Sequence, residues 1–244
     1  RYSGLPTVLK ENGYYNLFFM THEGQYDNMN AFFRTNGYDE VFSQEDYPAD
    51  KVVNSFGVQD DFLYDYAIPV LNQRAATGQP FFATLLSISN HPPYVIPPFF
   101  HPKTSEPETQ IVEYADWALR QFFEEARKQP WFDNTIFVLE GDHGKLVGDA
   151  ECELPESYNH IPLMIYSSCI HPEEKNTFGG QVDIQPTILG LLNIDYLQNN
   201  FGVDLLKEER PCMFYTADNM VVGRNDTLLY LYNYETQQEL TYDI

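Results

Sequence analysis

Hydrophobic residues follow one another along this chain in short runs of two kinds. Four runs are almost continuously apolar, as expected for buried strands, and they are Tyr15–Met20, Pro80–Ser89, Thr135–Leu139 and Pro162–Tyr166. Between these runs, apolar residues recur every three or four positions, which predicts helices at 27–36, 58–76 and about 108–128. In the last helix we expect a buried face made of Val112, Ala115, Leu119, Phe122 and Phe123.

Proline and capping residues refine these elements. Pro69 should kink or divide the second predicted helix, because proline removes a helical hydrogen bond. Asp183 stands where it can cap a further short helix. After Cys212 the runs are typical of β-strands, and Asn225-Asp226 is placed at a hairpin turn between two of them.

The alternation of strands and helices predicts the class of fold. Strand, helix and strand in this order favour parallel strands that are connected by helices. We therefore expect an α/β fold with a mainly parallel sheet flanked by helices, in which all four apolar runs share one sheet. The tail should form a small antiparallel C-terminal extension.

Charge and composition exclude several classes of function. With 36 acidic and 14 basic residues among 244, the formal net charge is −22, so the chain should repel nucleic acids and anionic lipid surfaces. Hydrophobic residues make up 43% of the chain, which is enough for a large core. The apolar runs are shorter than the ~20 residues of a membrane-spanning helix. Three cysteines are too few for a disulfide scaffold, although one bridge is compatible with them.

Three of the six histidines directly follow predicted strands. His22 comes after the first apolar run, His91 after the second and His143 after the third. In open α/β sheets, ligands bind outside the carboxyl ends of the strands. The sequence therefore predicts that these three side chains line one edge of the sheet.

The segment Glu140–Gly144 contains an Asp next to a His between two glycines. Asp142 and His143 supply an oxygen and an imidazole ligand, a combination that suits Mn²⁺, Zn²⁺ or Mg²⁺. The alternative interpretation is a simple turn, in which Asp142 caps the backbone and His143 is exposed.

The remaining histidines carry weaker signals. Two prolines follow His91 and restrict its loop, which suits an imidazole that must meet a substrate anion without moving, although an ordinary loop residue fits as well. His22 has a similar status. His160 enters a strand from the loop side, where it either reaches the edge of the sheet or bonds a backbone carbonyl. His101 and His171 fit ordinary surface roles.

Several segments resemble one protein family in the same order along the chain. They are Leu9–Tyr14, Asn36–Asp39, Ser89–Tyr94, Tyr114–Leu119, Gly141–Gly144, His160–Tyr166 and Gln181–Leu189. Together they resemble the sulfatase branch of the alkaline phosphatase superfamily, and within it the lipoteichoic acid synthase and phosphoglycerol transferase group. The resemblance covers nearly the whole chain.

The resemblance implies roles for individual residues. Asp142 and His143 would bind one divalent metal ion, Mn²⁺, Mg²⁺ or Zn²⁺. His91 would be a catalytic residue beside the substrate phosphate or sulfate, with His22 and Asp27 as further substrate-binding residues.

The resemblance also implies that essential parts lie elsewhere. Such enzymes attack with a metal-activated threonine, or with formylglycine in true sulfatases, and this residue comes from the first strand and helix of the catalytic domain. The chain begins without Met and after those elements. We therefore expect residues 1–210 to be a partial catalytic domain that lacks its first strand and nucleophile helix, with 211–244 as a C-terminal β extension of the same domain. Alone, this piece should be inactive.

Location and substrate follow from the same resemblance. It implies an extracytoplasmic domain of a membrane-anchored protein of the cell envelope, which would act on a phosphoester of an envelope lipid or glycan. Lipoteichoic acid synthases carry a Trp and an Arg near the glycerol phosphate, where this chain has Asp27 and Met29. The alternatives are a sulfatase that releases sulfate from a saccharide, and a non-catalytic binding domain on the same fold.

Overall fold

Two compact units make up the chain, Arg1–Asp133 and Asn134–Ile244. The structure is a computed structural model that describes residues 2–146, 149–150 and 152–244. The expected domain limits at 210 and 211 stay a prediction.

The first unit contains a small parallel sheet and four helices. Its helices are α1 (Leu5–Glu11), α2 (Met29–Thr35), α3 (Asp60–Ala75) and α4 (Pro107–Ala126). Its strands are β1 (Tyr15–Met20), β2 (Glu40–Phe42), β3 (Val52–Asn54), β4 (Gly57–Val58) and β5 (Phe81–Leu86). The sheet has the order β2-β1-β5 with all strands parallel, and β3 and β4 form a separate antiparallel pair.

Strand β1 is the centre of this unit. It pairs with β5 along its whole length, from Tyr15 opposite Phe81 to Met20 opposite Leu86. Neighbours on both edges and packing on both faces leave Leu17, Phe19 and Met20 fully buried. This environment explains why the run is continuously apolar rather than alternating.

Helix α3 continues through Pro69 without division, so, of the two predicted effects of this proline, division is wrong and a kink stays a prediction. The carbonyl that loses its hydrogen bond belongs to Asp65, four residues earlier. Both residues lie on the exposed side of the helix, where water can bond this carbonyl.

Helix α4 buries a face that is shifted from the predicted one and shares Phe122 with it. Val112 is 53% exposed, whereas the buried side chains are Ile111, Tyr114, Ala118, Phe122 and Ala126. The two candidate faces have almost the same periodicity. The observed face contacts α3, since the Tyr114 hydroxyl donates to Asp61 and the Phe122 ring lies 5.2 Å from that of Tyr64.

The second unit is built mostly from antiparallel strands. Its elements are β6 (Phe137–Glu140), β7 (Leu163–Tyr166), α5 (Ile184–Leu191), β8 (Met213–Ala217), β9 (Met220–Arg224), β10 (Leu228–Asn233) and β11 (Gln238–Asp243). Strands β8 to β11 form the expected antiparallel extension in the order β11-β10-β9-β8. The predicted turn at Asn225-Asp226 is confirmed, because the Asn225 side chain accepts hydrogen bonds from the N–H groups of Thr227 and Leu228.

Strands β6 and β7 correct the expectation that four apolar runs share one sheet. They pair with each other antiparallel and form a separate two-stranded sheet, from Phe137 opposite Tyr166 to Glu140 opposite Leu163. A parallel pair needs a crossover connection, usually a helix. In the described part of 141–162 the only helical element is a short 3₁₀ turn at Glu156–Tyr158, so the chain returns antiparallel.

Asp183 occupies the N-cap position of α5 but does not cap that helix with its side chain. Its carboxylate instead accepts hydrogen bonds from the N–H groups of Gly180 and Val203, and it pairs with Arg210 at 2.6 Å. Asp183 is 1% exposed, so these donors replace the water that a buried carboxylate loses. All three cysteines are free thiols.

Gly57, at the start of β4, allows the close approach that places the end of β1. Its φ is +89°, and a Cβ there would lie 1.7 Å from the Thr21 carbonyl oxygen. Gly57→Ala should lower the free energy of unfolding by about 3 kcal/mol or more, since left-handed strain of ~1–2 kcal/mol adds to overpacking of ~1–3 kcal/mol. Urea unfolding measures the difference.

Gly78→Ala is the matched control for this prediction. Gly78 also has a positive φ, +75°, but nothing lies within 4 Å of its added Cβ. The control should lose only the backbone strain of about 1–2 kcal/mol. Equal losses in both variants would show that the contact with Thr21 is unimportant.

Candidate active-site residues

One hydrogen-bond pattern recurs at the three histidines that follow β1, β5 and β6. In each, Nδ1 bonds the carbonyl oxygen of the next residue, at 3.1 Å for His22, 2.6 Å for His91 and 2.8 Å for His143. A carbonyl oxygen only accepts, so the proton must be on Nδ1. The neutral ring then keeps its lone pair on Nε2, the atom that can bind a metal or take up a proton.

His22 lies in a buried, polar corner. It is 2% exposed, and its ring centroid is 4.8 Å from that of Tyr26. Glu45 bonds the neighbouring Gly24 N–H with both carboxylate oxygens, at 3.2 Å each. Hydrogen bonding from the Ser43 hydroxyl, with smaller contributions from Gly24 and His22, lowers the pKa of Glu45. A charged carboxylate therefore stands beside the His22 segment.

Asp27 and Asn28 form an unusual turn before α2. Their φ angles are +46° and +58°. These values lie in the left-handed region of the backbone map, which residues other than glycine rarely adopt. The Asp27 side chain is exposed, whereas Met29 packs against the core cluster around Phe18 and Met20. Asp27 is therefore presented to solvent, whereas Met29 is part of the core.

Arg34, on the same helix as Met29, is held by hydrogen bonds within the fold. Its Nε donates to Asn30 at 2.8 Å, and its terminal nitrogens donate to the carbonyls of Asp39 and Val41 at 3.3 Å. The guanidinium therefore connects α2 to β2 and is already bonded within the fold.

His91 lies in an exposed loop that receives support from residues 54–60. The Phe56 ring is 4.1 Å from the His91 ring, centroid to centroid. The Asn54 amide donates to the Pro93 carbonyl at 3.3 Å. The loop is therefore held on one side by the β3–β4 pair.

Asp60, in the first turn of α3, is a residue that the sequence analysis missed. It is 2% exposed, and its Oδ1 accepts hydrogen bonds from the N–H groups of Ile88 and Ser89, both at 2.9 Å. In return, the Asp60 N–H donates to the Ser89 hydroxyl at 3.0 Å. Burial raises the pKa of Asp60, and its hydrogen bonds with Ser89 and Ile88 oppose that effect.

Asp142 and His143 stand side by side at the end of β6. Their side chains are 76% and 71% exposed, and Asp142 Oδ2 lies 3.6 Å from His143 Nε2. Ligands of a tetrahedral ion at the usual distances are about 3.4 Å apart. Asp142 Oδ1 is bonded to the His143 N–H at 2.9 Å, so Oδ2 and Nε2 are the donors that remain for an ion. This spacing is compatible with a shared ion, and the bond from the His143 N–H to Asp142 equally matches the alternative of a simple turn, so the metal site stays a prediction.

Two contacts hold this pair of donors in place. The Gln181 amide donates to the Asp142 carbonyl at 2.9 Å, and the Gly144 N–H donates to the Tyr158 carbonyl at 2.8 Å. A Cβ at Gly144 would lie 1.9 Å from the Ser157 carbonyl oxygen, which explains the glycine. Gln181 begins one of the family-like segments, but nothing in its sequence surroundings predicts this contact.

Electrostatics at the end of β6 are dominated by carboxylates. Burial raises the pKa of Glu140, and the charge of Asp142 raises it further. His160 lies after the 3₁₀ turn, with its N–H bonded to the Glu156 carbonyl at 2.8 Å and its ring exposed. Its role stays a prediction.

The predicted site residues divide between the two units. His22, Asp27 and His91 belong to the first, and Asp142, His143 and His160 belong to the second. Their convergence on one site stays a prediction. Within the described residues, no three His, Cys, Asp or Glu side chains are grouped so that they could hold a metal ion. Nor does any helix in the described ranges have the length and apolar character to cross a membrane.

Sequence comparison adds an independent finding. The family model described as "Sulfatase" matches residues 1–194. Lipoteichoic acid synthase 1 of Bacillus subtilis (strain 168) is 27% identical over 247 residues, which cover 92% of this chain and 37% of that protein. The chain thus spans little more than a third of the length of this relative.

Solved structures share the fold. A protein in the alkaline phosphatase superfamily from Vibrio parahaemolyticus matches with a TM-score of 0.85 and 28% identity, covering 99% of this chain and 64% of that one. The lipoteichoic acid synthase LtaP from Listeria monocytogenes matches with a TM-score of 0.80 and 24% identity, covering 98% and 67%. These matches confirm the alkaline-phosphatase-like α/β class and the resemblance to lipoteichoic acid synthases.

Gln181→Ala should weaken metal binding. Without its amide the Asp142 carbonyl loses a hydrogen bond, and changes next to metal ligands cost on the order of 10-fold in affinity. Calorimetric titration with Mn²⁺ measures the change. Gln238→Ala, on exposed strand β11, is the matched control, and equal affinities in the two variants would contradict the role of Gln181.

Asp60 should make stability depend on pH. Because its pKa is raised in the folded state, the protonated carboxyl favours folding in acid, and this contribution is lost as pH rises through the raised pKa. Asp60→Asn stays neutral and keeps an acceptor oxygen. The free energy of unfolding of the variant, relative to the wild type, should therefore increase between pH 3 and 7 in urea titrations. A constant or decreasing difference would contradict this prediction.

Proposed function

Because the chain belongs to the sulfatase family, we propose that it is part of a metal-dependent phosphotransferase or hydrolase that acts on a phosphoester of an envelope lipid or glycan. The observation that carries the proposal is the pair of donors at the end of β6. Asp142 Oδ2 and His143 Nε2 are 3.6 Å apart, with the other polar atom of each side chain already bonded.

Asp142 and His143 would hold one divalent ion, Mn²⁺, Mg²⁺ or Zn²⁺. Such an ion polarises a phosphoryl or sulfuryl oxygen and activates a nucleophile. The hydrogen bond from His143 Nδ1 to the Gly144 carbonyl fixes the tautomer in which Nε2 is a ligand. Two protein ligands make a weak site, so further ligands are needed.

His91 would meet the substrate anion. Its Nδ1 proton is bonded to the Pro92 carbonyl, so a second proton taken up at Nε2 can be donated to a phosphate or sulfate oxygen. The net charge of −22 repels anionic substrates at long range. Local positive charge at His91 and at the metal is therefore what would bind them.

Asp27 would contact a different part of the substrate. An exposed carboxylate accepts hydrogen bonds from hydroxyl groups but repels phosphate. With Met29 packed in the core and Arg34 bonded within the fold, this region favours a sugar or glycerol hydroxyl over the phosphate itself.

The nucleophile would be a threonine in a part of the protein outside these 244 residues. No Ser or Thr of the chain lies in the sequence context that the family uses. The same longer protein would be membrane-anchored, with this domain in the cell envelope.

A sulfatase that releases sulfate from a saccharide is the second candidate, because the family model that matches is that of sulfatases. The nucleophile separates the two functions. A Thr indicates phosphoester transfer, whereas a Cys-x-Pro-x-Arg segment, the site of formylglycine formation, indicates sulfate release. A non-catalytic domain would need neither.

The chain alone should hydrolyse neither p-nitrophenyl phosphate nor p-nitrophenyl sulfate above background with Mn²⁺, Mg²⁺ or Zn²⁺ present. Addition of the preceding nucleophile segment should produce metal-dependent turnover. In that longer protein, Asp142→Asn and His143→Ala should abolish activity. His91→Ala should raise KM roughly 10- to 100-fold, the value of a lost hydrogen bond to a charged group.

His171→Ala is the matched control, since this exposed histidine lies outside the predicted site. It should leave kcat and KM unchanged. Turnover by the 244-residue chain that Asp142→Asn removes would contradict an external nucleophile. Activity in the longer protein that survives Asp142→Asn would overturn the metal assignment.

A further inference from the structure

A buried carboxylate connects the start of α3 to the loop that carries His91. Asp60 Oδ1 receives the N–H groups of Ile88 and Ser89, and the Ser89 hydroxyl receives the Asp60 N–H. Each segment thus donates to the other, although Ile88 and Ser89 are 28 and 29 residues from Asp60 in the sequence. They fix the point at which the chain leaves β5 and turns toward His91.

The surroundings of Asp60 are unusual for a carboxylate. It is 2% exposed, and among the described residues it forms no salt bridge. Only hydrogen bonds and the positive end of α3 compensate for lost hydration. An apolar residue would fill this position at a lower desolvation cost. The presence of a carboxylate here is therefore best explained by its hydrogen bonds to the N–H groups of Ile88 and Ser89.

The rest of the 54–60 segment contacts the same loop. Asn54 bonds the Pro93 carbonyl, the Phe56 ring packs against the His91 ring, and the Gln59 amide bonds the Val95 carbonyl. Within the loop, the His91 N–H donates to the Ile88 carbonyl at 2.8 Å. Asp60, which bonds Ile88 and Ser89, therefore also holds the turn that runs from Ile88 to His91.

We propose that Asp60 is a positioning residue for His91, and that the Asp60–Ser89 pair sets the direction in which the exposed imidazole meets the substrate anion. This inference rests on the proposed function of His91. Groups that bind a reacting anion must be held within about 0.5 Å of their working position, by neighbours whose own conformations are locked. His91 is exposed, so its own packing is insufficient for this.

The first test measures geometry in the 244-residue chain. Asp60→Ala should accelerate amide hydrogen exchange of Ile88 and Ser89 by roughly 10-fold or more, because a protecting acceptor is lost. The NMR shifts of the His91 ring should move toward those of a free imidazole, which exchanges between its two tautomers. Asp60→Asn keeps an acceptor oxygen and should restore both values. Asp65→Ala, an exposed position on the same helix, is the matched control and should change neither.

The second test measures function in the longer protein that includes the nucleophile. Asp60→Ala should raise KM for p-nitrophenyl phosphate in the same direction as His91→Ala, with a smaller change in kcat. The double variant should be no worse than His91→Ala alone, since a residue that acts through His91 has nothing left to position. Additive losses would overturn the proposal and indicate a general structural role.

Ser89→Ala keeps the proposal falsifiable if Asp60→Ala fails to fold. It removes only the hydroxyl that receives the Asp60 N–H, and it should give the same exchange and ring-shift changes in weaker form. Unchanged values in Ser89→Ala and in a folded Asp60→Ala would overturn the proposal. If no longer protein shows turnover, the proposed function fails, whereas the exchange and NMR measurements still decide whether Asp60 positions His91.

Discussion

Burial of β1 on both edges and both faces is the constraint on which the first unit depends. Because β2 and β5 flank it in parallel, its backbone is paired on both edges, and its end is fixed beside Gly57. His22 follows two residues after that end, and β5, held by β1 along six paired residues, leads toward His91. A shift of β1 would therefore displace both histidines together.

The histidines share a second constraint, which is local. In each ring the Nδ1–H group is occupied by a hydrogen bond to the carbonyl of the next residue. Nε2 is therefore the ring nitrogen that remains free for other partners. The same device serves a buried ring at His22 and exposed rings at His91 and His143. In each ring Nε2 is then the atom available to bind a metal ion or to take up a proton.

The sequence predicted the strands well, because long apolar runs have few alternatives; β1 agrees with its predicted limits. It failed where several arrangements share one pattern. Two faces of α4 have nearly the same periodicity, and β6 with β7 reads the same whether parallel or antiparallel. The histidines and acidic residues of the candidate site were predictable from the sequence. The residues that hold them in position were not. Asp60 looks like any acid in a first helical turn, and Gln181 binds backbone carbonyls that have no sequence signature.

The segment between Gly144 and Tyr158 has its ends joined by one backbone hydrogen bond, and it carries Leu154 into the core of the antiparallel sheet beside Val222 and Leu229. Arg224 bonds Glu156 near the same end. The C-terminal strands thus contact and support the segment that follows the turn with Asp142 and His143. Truncation of those strands would remove the packing around Leu154, so about an eighth of the chain would affect the turn that carries Asp142 and His143.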